Sequence, residues 1–253
     1  YMQYLQIKTS KLNLRNLNDL ILDMKKNILI VLTATAGLLA SCVQTNEKIV
    51  PVGLRTEYLE NPIGIDTKMP RFTWKYAGED TTFIPFRYEI RTGTSPTDLK
   101  VYDERTELKP ETRYYWQVTV WDQDGNPCRT SDVASFELGK GENADWQAKW
   151  ITDDNDKEYE PAPVFRKGFM VDKPVKQARL YVSAAGYYEM FLNGKRVGEN
   201  FLDPGYTHFD KRNLYVTHDV SSLLQKGDNT VAAVLGNGWY NEQSLARSSA
   251  FVM

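Results

Sequence analysis

The stretch Asn237-Gly238-Trp239-Tyr240 holds the residue types best suited to binding chemistry. A sugar site needs an aromatic plate for the apolar face of the ring and amide or carboxylate groups for its hydroxyls, and this stretch offers both. Glycine on either side of Asn237 lets the backbone bend and bring the amide to a pocket rim. Tyr206, in Asp203-Pro204-Gly205-Tyr206, is a candidate second plate on a neighbouring loop. The competing reading is structural, because a tryptophan that follows a strand in a β-sandwich often plugs the core. Other chemistries find less support. His208 and His218 are ten apart and lack cysteine partners, which argues against zinc. The acidic run Asp153-Asp154-Asn155-Asp156 lacks the glycine and distal glutamate of a helix-loop-helix calcium site and reads as solvated surface. No carboxylate pair stands out as an acid/base constellation, and there is no nucleophile elbow, P-loop or dinucleotide fingerprint. The expected catalytic and metal sets are therefore empty.

Cys42 points to a different chemistry. Lys25 and Lys26 form a positive n-region, Ile28 to Ala40 an apolar run, and Leu39-Ala40-Ser41-Cys42 places small residues before the cysteine, as an export peptidase requires. At about 1.5 Å per residue, the apolar run is too short to span a bilayer, which takes roughly 20 residues. Residues 24–41 thus resemble a bacterial lipoprotein signal. That resemblance implies acylation of Cys42, which becomes the mature N-terminus and anchors the protein to a membrane in the periplasm or at the surface of a Gram-negative cell. Simple secretion is the alternative. Residues 1–23 begin with Tyr1, lie upstream of the signal and read as an overextended frame. Residues 42–50 read as a polar tether.

The remainder of the 253-residue chain is long enough for two domains of about 100 residues each. A formal net charge of −2 argues against a nucleic-acid surface. Beyond Cys42 only Cys128 remains, so no internal disulfide is available to an exported chain. Strand-like runs at 71–76, 87–92, 113–121 and 134–138, separated by turn-rich segments, predict a fibronectin type III or immunoglobulin-like β-sandwich over 51–138. In the clearest run, Tyr114, Trp116, Val118 and Val120 share one face, and Asp122-Gln123-Asp124-Gly125-Asn126-Pro127 then turns the chain. Gly139-Lys140-Gly141-Glu142-Asn143 marks the boundary. Trp146 and Trp150 open a second unit, 144–253, with strands at 164–171, 177–183, 187–192, 213–216 and 230–235. Asn193-Gly194 forms a tight hairpin, and 220–224 a short helical turn capped by Asp219. The fold class is all-β, with a jelly roll as the second topology. Gln243 to Met253 reads as too short and irregular to complete that jelly roll, which would leave an open strand edge and poor solubility.

Five blocks carry a family resemblance: 54–66 (Leu54 to Asp66), Asp145-Trp146-Gln147-Ala148-Lys149-Trp150-Ile151, Phe191-Leu192-Asn193-Gly194-Lys195-Arg196-Val197-Gly198, Leu202-Asp203-Pro204-Gly205-Tyr206-Thr207 and Leu235-Gly236-Asn237-Gly238-Trp239-Tyr240. In this order they resemble the N-terminal region of bacterial α-L-rhamnosidases of the glycoside hydrolase family 78 type. The resemblance implies a modular enzyme in which a fibronectin-like domain and a jelly roll precede an (α/α)6 barrel. That barrel holds the catalytic carboxylates and removes terminal α-L-rhamnose from glycans by inversion. From Leu245 onward the resemblance fades, so the chain reads as an accessory fragment without hydrolytic activity of its own. The alternative is a stand-alone surface lipoprotein that binds carbohydrate without cleaving it. Calcium-dependent rhamnose-binding relatives place an acidic or amide pair ahead of the Asn-Gly hairpin. Ala185-Gly186 stands there instead and offers no side-chain oxygen, which disfavours calcium and leaves no expected cofactor. The expected partners are rhamnose-containing glycans, the membrane and the catalytic barrel, with no nucleic acid.

Overall fold

The computed structural model describes residues 45–142, 146–153, 162–236, 238, 240 and the backbone of 250–252. These residues form fourteen strands in four sheets, two sheets in each of two sandwiches. The acylation site expected at Cys42 and the segments before it lie outside the described residues.

In the first sandwich, β1 (Ile49–Thr56) pairs antiparallel with β3 (Phe72–Gly78). Facing them is a five-stranded sheet in the order β2 (Ile63–Ile65), β7 (Ala134–Leu138), β6 (Arg113–Asp122), β4 (Pro85–Ser95) and β5 (Asp98–Val101). β6 alternates as its sequence predicts: Trp116, Val118 and Val120 are completely buried and Tyr114 nearly so. Phe72 reaches across from the opposite sheet to lie 4.6 Å from the Trp116 ring, and Tyr114 stacks on Phe136 at 5.4 Å. Truncating a buried ring of this size to alanine costs about 3–5 kcal/mol. The predicted turn after β6 is built on Asp122, whose carboxylate accepts hydrogen bonds from the Asp124 and Asn126 amides at 3.1 and 2.8 Å. Gly125 provides the positive φ, 79°, that this turn needs.

The segment expected to be a tether is folded from Asn46 onward. The Asn46 amide donates to Pro127 O at 2.8 Å, its side chain reaches Asp122 Oδ2 at 3.2 Å, and Ile49 is buried. Polar residues mislead here because Asn46 secures the chain through the Asp122 turn just before Ile49 enters the core. The short strands β1, β2 and β5 were not legible in the sequence, since three to eight residues give little periodicity.

The second sandwich packs a sheet ordered β11 (Lys195–Arg196), β10 (Tyr187–Leu192), β13 (Gly227–Gly236), β8 (Val164–Val171) against one ordered β12 (Tyr215–Asp219), β9 (Arg179–Ala185), β14 (Ala250–Val252). Its core contains Val182, Ala184, Tyr188, Met190, Leu192, Ala233 and Leu235. Asn193 and Gly194 adopt φ of 53° and 79°, the hairpin geometry their types predict. The Asn193 side chain also donates to Leu223 O and accepts from the Thr230 amide, tying the hairpin to its neighbours at 2.9 and 2.8 Å. Asp219 Oδ1 caps the following turn through the Ser221 amide at 3.0 Å. The C-terminal stretch, expected to be too short and irregular to complete the jelly roll, contributes β14, whose backbone pairs Ala250 with Ala185 and Val252 with Ser183. Such a strand is found by its partner β9, not by its own pattern.

The two sandwiches meet at the end of β7. Glu137, 1% exposed, accepts hydrogen bonds from Arg179 Nε at 2.6 Å and Nη2 at 2.8 Å, from Arg113 Nε at 3.2 Å and from Gln177 Nε2 at 3.3 Å. Arg179 Nη1 also reaches Asp219 Oδ2 at 2.9 Å. Burial alone would lower the Arg179 pKa, but the Glu137 carboxylate overrides it and the net direction is upward. Gly64 and Gly139 allow the second domain to approach: a Cβ on Gly64 would collide with Thr217 and one on Gly139 with the Tyr215 hydroxyl. Gly139, expected to mark a loose boundary, is thus a close-packing position, and its amide donates to Ile65 O at 2.8 Å. Tyr181, enclosed at this junction, is pushed up to about 12 by burial.

Candidate carbohydrate-contact site

Two candidate sugar-contact residues are described: Tyr206 lies on the loop 197–214, which joins β11 to β12, and Tyr240 follows β13. Arg196 holds the first loop: its guanidinium donates to the Glu189 carboxylate at 2.7 Å and to Gly198 O at 2.8 Å, and also reaches Asn200 O. Hydrogen bonding to Arg196 keeps the Glu189 carboxyl below its ordinary range. The Arg196 guanidinium also lies 4.4 Å from the centre of the exposed Phe201 ring. Farther along, Asp203 O accepts from the Tyr188 amide at 3.1 Å, Pro204 is fully buried after a cis peptide, and the Lys211 and Arg212 amides donate to His208 O. These anchors give the loop a defined shape from which Tyr206 projects, 67% exposed.

Tyr206 and Tyr240 are brought together through a residue that the sequence reading missed. Phe209 stands edge-on to Tyr206, with ring centres 5.7 Å apart at 86°, and edge-on to Tyr240 at 5.4 Å and 89°. The three rings form a ladder with Tyr206 at its solvent end. Such pairs each add about 0.5–1.5 kcal/mol beyond area burial. Phe209 follows Tyr206 by only three residues, and this local aromatic density was the available signal. Asn237 and Trp239 lie outside the described residues. Between them, Gly238 has φ +47°, and a Cβ there would come within 3.0 Å of the Tyr187 ring and 3.2 Å of Gly186 Cα. Gly238 therefore sits close against the turn containing Ala185-Gly186. Ala185 is buried there, and neither residue of the pair has a side-chain oxygen to offer a cation.

The histidines play separate parts. His208 is exposed and serves the loop through its carbonyl, whereas His218 is buried, with Nε2 3.0 Å from the Tyr188 hydroxyl. Burial lowers the His218 pKa and raises that of Tyr188. Among the described residues no group of three or more His, Cys, Asp or Glu is placed to hold a metal. The described carboxylates with a shifted pKa, namely Glu57, Asp80, Asp103, Asp122, Glu189 and Asp219, are all shifted downward.

Comparison with known proteins places these domains. Residues 51–142 match the family described as the Rha78A-like N-terminal immunoglobulin domain, and residues 173–251 match the α-L-rhamnosidase N-terminal domain. The second match carries the resemblance through residue 251, past the point where the sequence reading lost it. An α-L-rhamnosidase of Formosa agariphila is 32% identical over 223 residues, 72% of this chain and 23% of that protein. One from an Alteromonas species is 30% identical over 240 residues, covering 83% of this chain and 26% of its own length. Among solved structures, the α-L-rhamnosidase from Dictyoglumus thermophilum aligns with a TM-score of 0.72 at 30% identity, over 81% of this chain and 27% of that one. The Aspergillus terreus enzyme aligns with a TM-score of 0.72 at 26% identity, over 80% and 26%. The chain thus spans about a quarter of the length of these relatives. With both domains matched in the same order over more than half its length, the chain belongs to the α-L-rhamnosidase family and carries that family's N-terminal domains.

Proposed function

We propose that this chain is the non-catalytic N-terminal part of an enzyme that hydrolyses terminal α-L-rhamnose from glycans, with the chemistry supplied by an (α/α)6 barrel. The observation that carries this reading is the ordered match to two rhamnosidase N-terminal domains by a chain one quarter the length of its relatives. In this role the Glu137 junction makes the two sandwiches a stiff support for the barrel. The second sandwich contacts carbohydrate through Tyr206 and Tyr240. Tyr206 supports this, because its aromatic ring is held two-thirds exposed on an anchored loop, where a sugar ring can stack on it. The same reading includes export and acylation at Cys42, which would hold the enzyme at a membrane facing its glycans.

Two measurements test the proposal. The chain incubated with p-nitrophenyl α-L-rhamnoside should release no nitrophenol, and release at an enzymatic rate would overturn the non-catalytic assignment. Titration with methyl α-L-rhamnoside should show binding that Tyr206→Ala weakens, whereas unchanged affinity in that variant removes Tyr206 from the surface. For the anchor, radiolabelled palmitate should enter the full precursor expressed in a Gram-negative host and be lost in Cys42→Ala.

A further inference from the structure

We infer that the cleft between the two sandwiches binds a neutral oligosaccharide, with Trp150 as its stacking plate. The cleft has a volume of about 720 Å³ and is lined by Asp66 of the first domain, the 210–215 loop of the second and the linker tryptophans Trp146 and Trp150. Ligand pockets typically enclose roughly 300–1,000 Å³.

The two tryptophans differ in their surroundings. Trp146 is half-buried and stands edge-on to Tyr215 at 5.4 Å and 75°, so it forms a wall. Trp150 is 49% exposed in the same cleft, an indole whose burial the fold leaves incomplete. Polar residues line the same cleft, Asp66 from the first domain and Arg212 and Asn213 from the second. An aromatic face in a cleft with polar walls matches a pyranose, which is apolar on its C–H face and polar at its rim.

Charge selects the type of glycan. Asp66 and Asp210 line the cleft together with Lys211 and Arg212, so the formal charges of its lining cancel. A polyanionic chain finds no net field to draw it in, while a neutral polyhydroxyl ligand needs none. The cleft is also preformed. The Glu137–Arg179 pair and the packing of Thr217 and Tyr215 against Gly64 and Gly139 fix its two sides, which limits the ordering cost of binding. Tyr206 and Asn213 share the 197–214 loop, and Asn213 Nδ2 donates to Phe209 O at 2.9 Å, so one segment contributes to both the cleft and the Tyr206 ladder.

Calorimetric titration of the full chain with linear rhamnotriose and, separately, xylotriose tests the inference. At least one should bind the wild type, and Trp150→Ala should weaken that binding about tenfold, or about 1.4 kcal/mol. Trp150→Phe should restore most of it, and an unchanged melting temperature would confirm that the alanine variant is folded. Unaltered affinity in a folded Trp150→Ala protein overturns the inference, as does preferential binding of polygalacturonate. If Tyr206→Ala weakens binding while Trp150→Ala does not, the cleft fails and the Tyr206 surface stands. If only Trp150→Ala weakens it, the cleft stands and the Tyr206 surface fails. Failure of both trisaccharides to bind overturns the inference outright.

Discussion

Replacing Glu137 by alanine should uncouple the two sandwiches. The carboxylate is almost completely buried and receives two bonds from Arg179, with Arg113 and Gln177 also in reach. Its removal strands the Arg179 side chain, 7% exposed, with Asp219 at 2.9 Å as its remaining ion-pair partner among the described residues. Removing one member of a buried pair costs about 3–5 kcal/mol because the other charge stays desolvated. Asp219 is 48% exposed and keeps part of the Arg179 charge neutralised, which favours the lower figure. At about 2–4 °C per kcal/mol for a folded unit of this size, a loss of about 3 kcal/mol lowers the melting temperature by about 6–12 °C. Scanning calorimetry at neutral pH should show one transition for the wild type, and an earlier transition resolved into two components for Glu137→Ala. Glu137→Leu combined with Arg179→Met should cost less than Glu137→Ala, since it leaves no buried charge behind. A Glu137→Ala protein that melts in one transition within about 2 °C of the wild type would refute the reasoning, because the junction would then contribute almost nothing.

Three further perturbations address single elements. His218 is buried with a lowered pKa, so the unfolded chain takes up its proton first; the stability present above 6.5 is lost as pH falls below that value, and His218→Gln should flatten the melting temperature across that window. Gly64→Ala sets a Cβ against Thr217 at φ +76°, a change expected to cost more than about 1 kcal/mol and to accelerate protease cleavage between the domains; an unchanged digestion rate would argue against the close approach. Asp122→Ala should remove about 1–2 kcal/mol in urea unfolding, because its carboxylate holds both the Gly125 turn and Asn46. Burial opposes ionisation of Asp122, yet hydrogen bonds from Asn126, Asn46 and Asp124 win and its pKa is lowered. That stability is present above 3.8 and disappears as pH falls below it.

The amino-acid sequence by itself determined the elements whose causes are local. The period-two alternation of β6 specified its buried face, because successive side chains of a strand must point to opposite sides. Asn193-Gly194 specified its hairpin through the φ angles those residues tolerate, and Asp219 its turn through the reach of a short carboxylate. Five ordered blocks carried the family. The tertiary structure alone decided what depends on distant partners. Nothing around Glu137 in the sequence distinguishes a buried charge from a solvated one, since its partners Gln177 and Arg179 arrive from 40 and 42 residues away. Asn46 looked like tether because its anchor, Asp122, lies 76 residues downstream. β14 looked irregular because three residues are ordered by the edge of β9 that receives them. Phe209 and Trp150 acquire meaning only once a loop and a linker meet other rings and walls. Local pattern follows from the stereochemistry of neighbouring residues, whereas the burial of a charge or the exposure of a ring depends on what the rest of the chain places beside it.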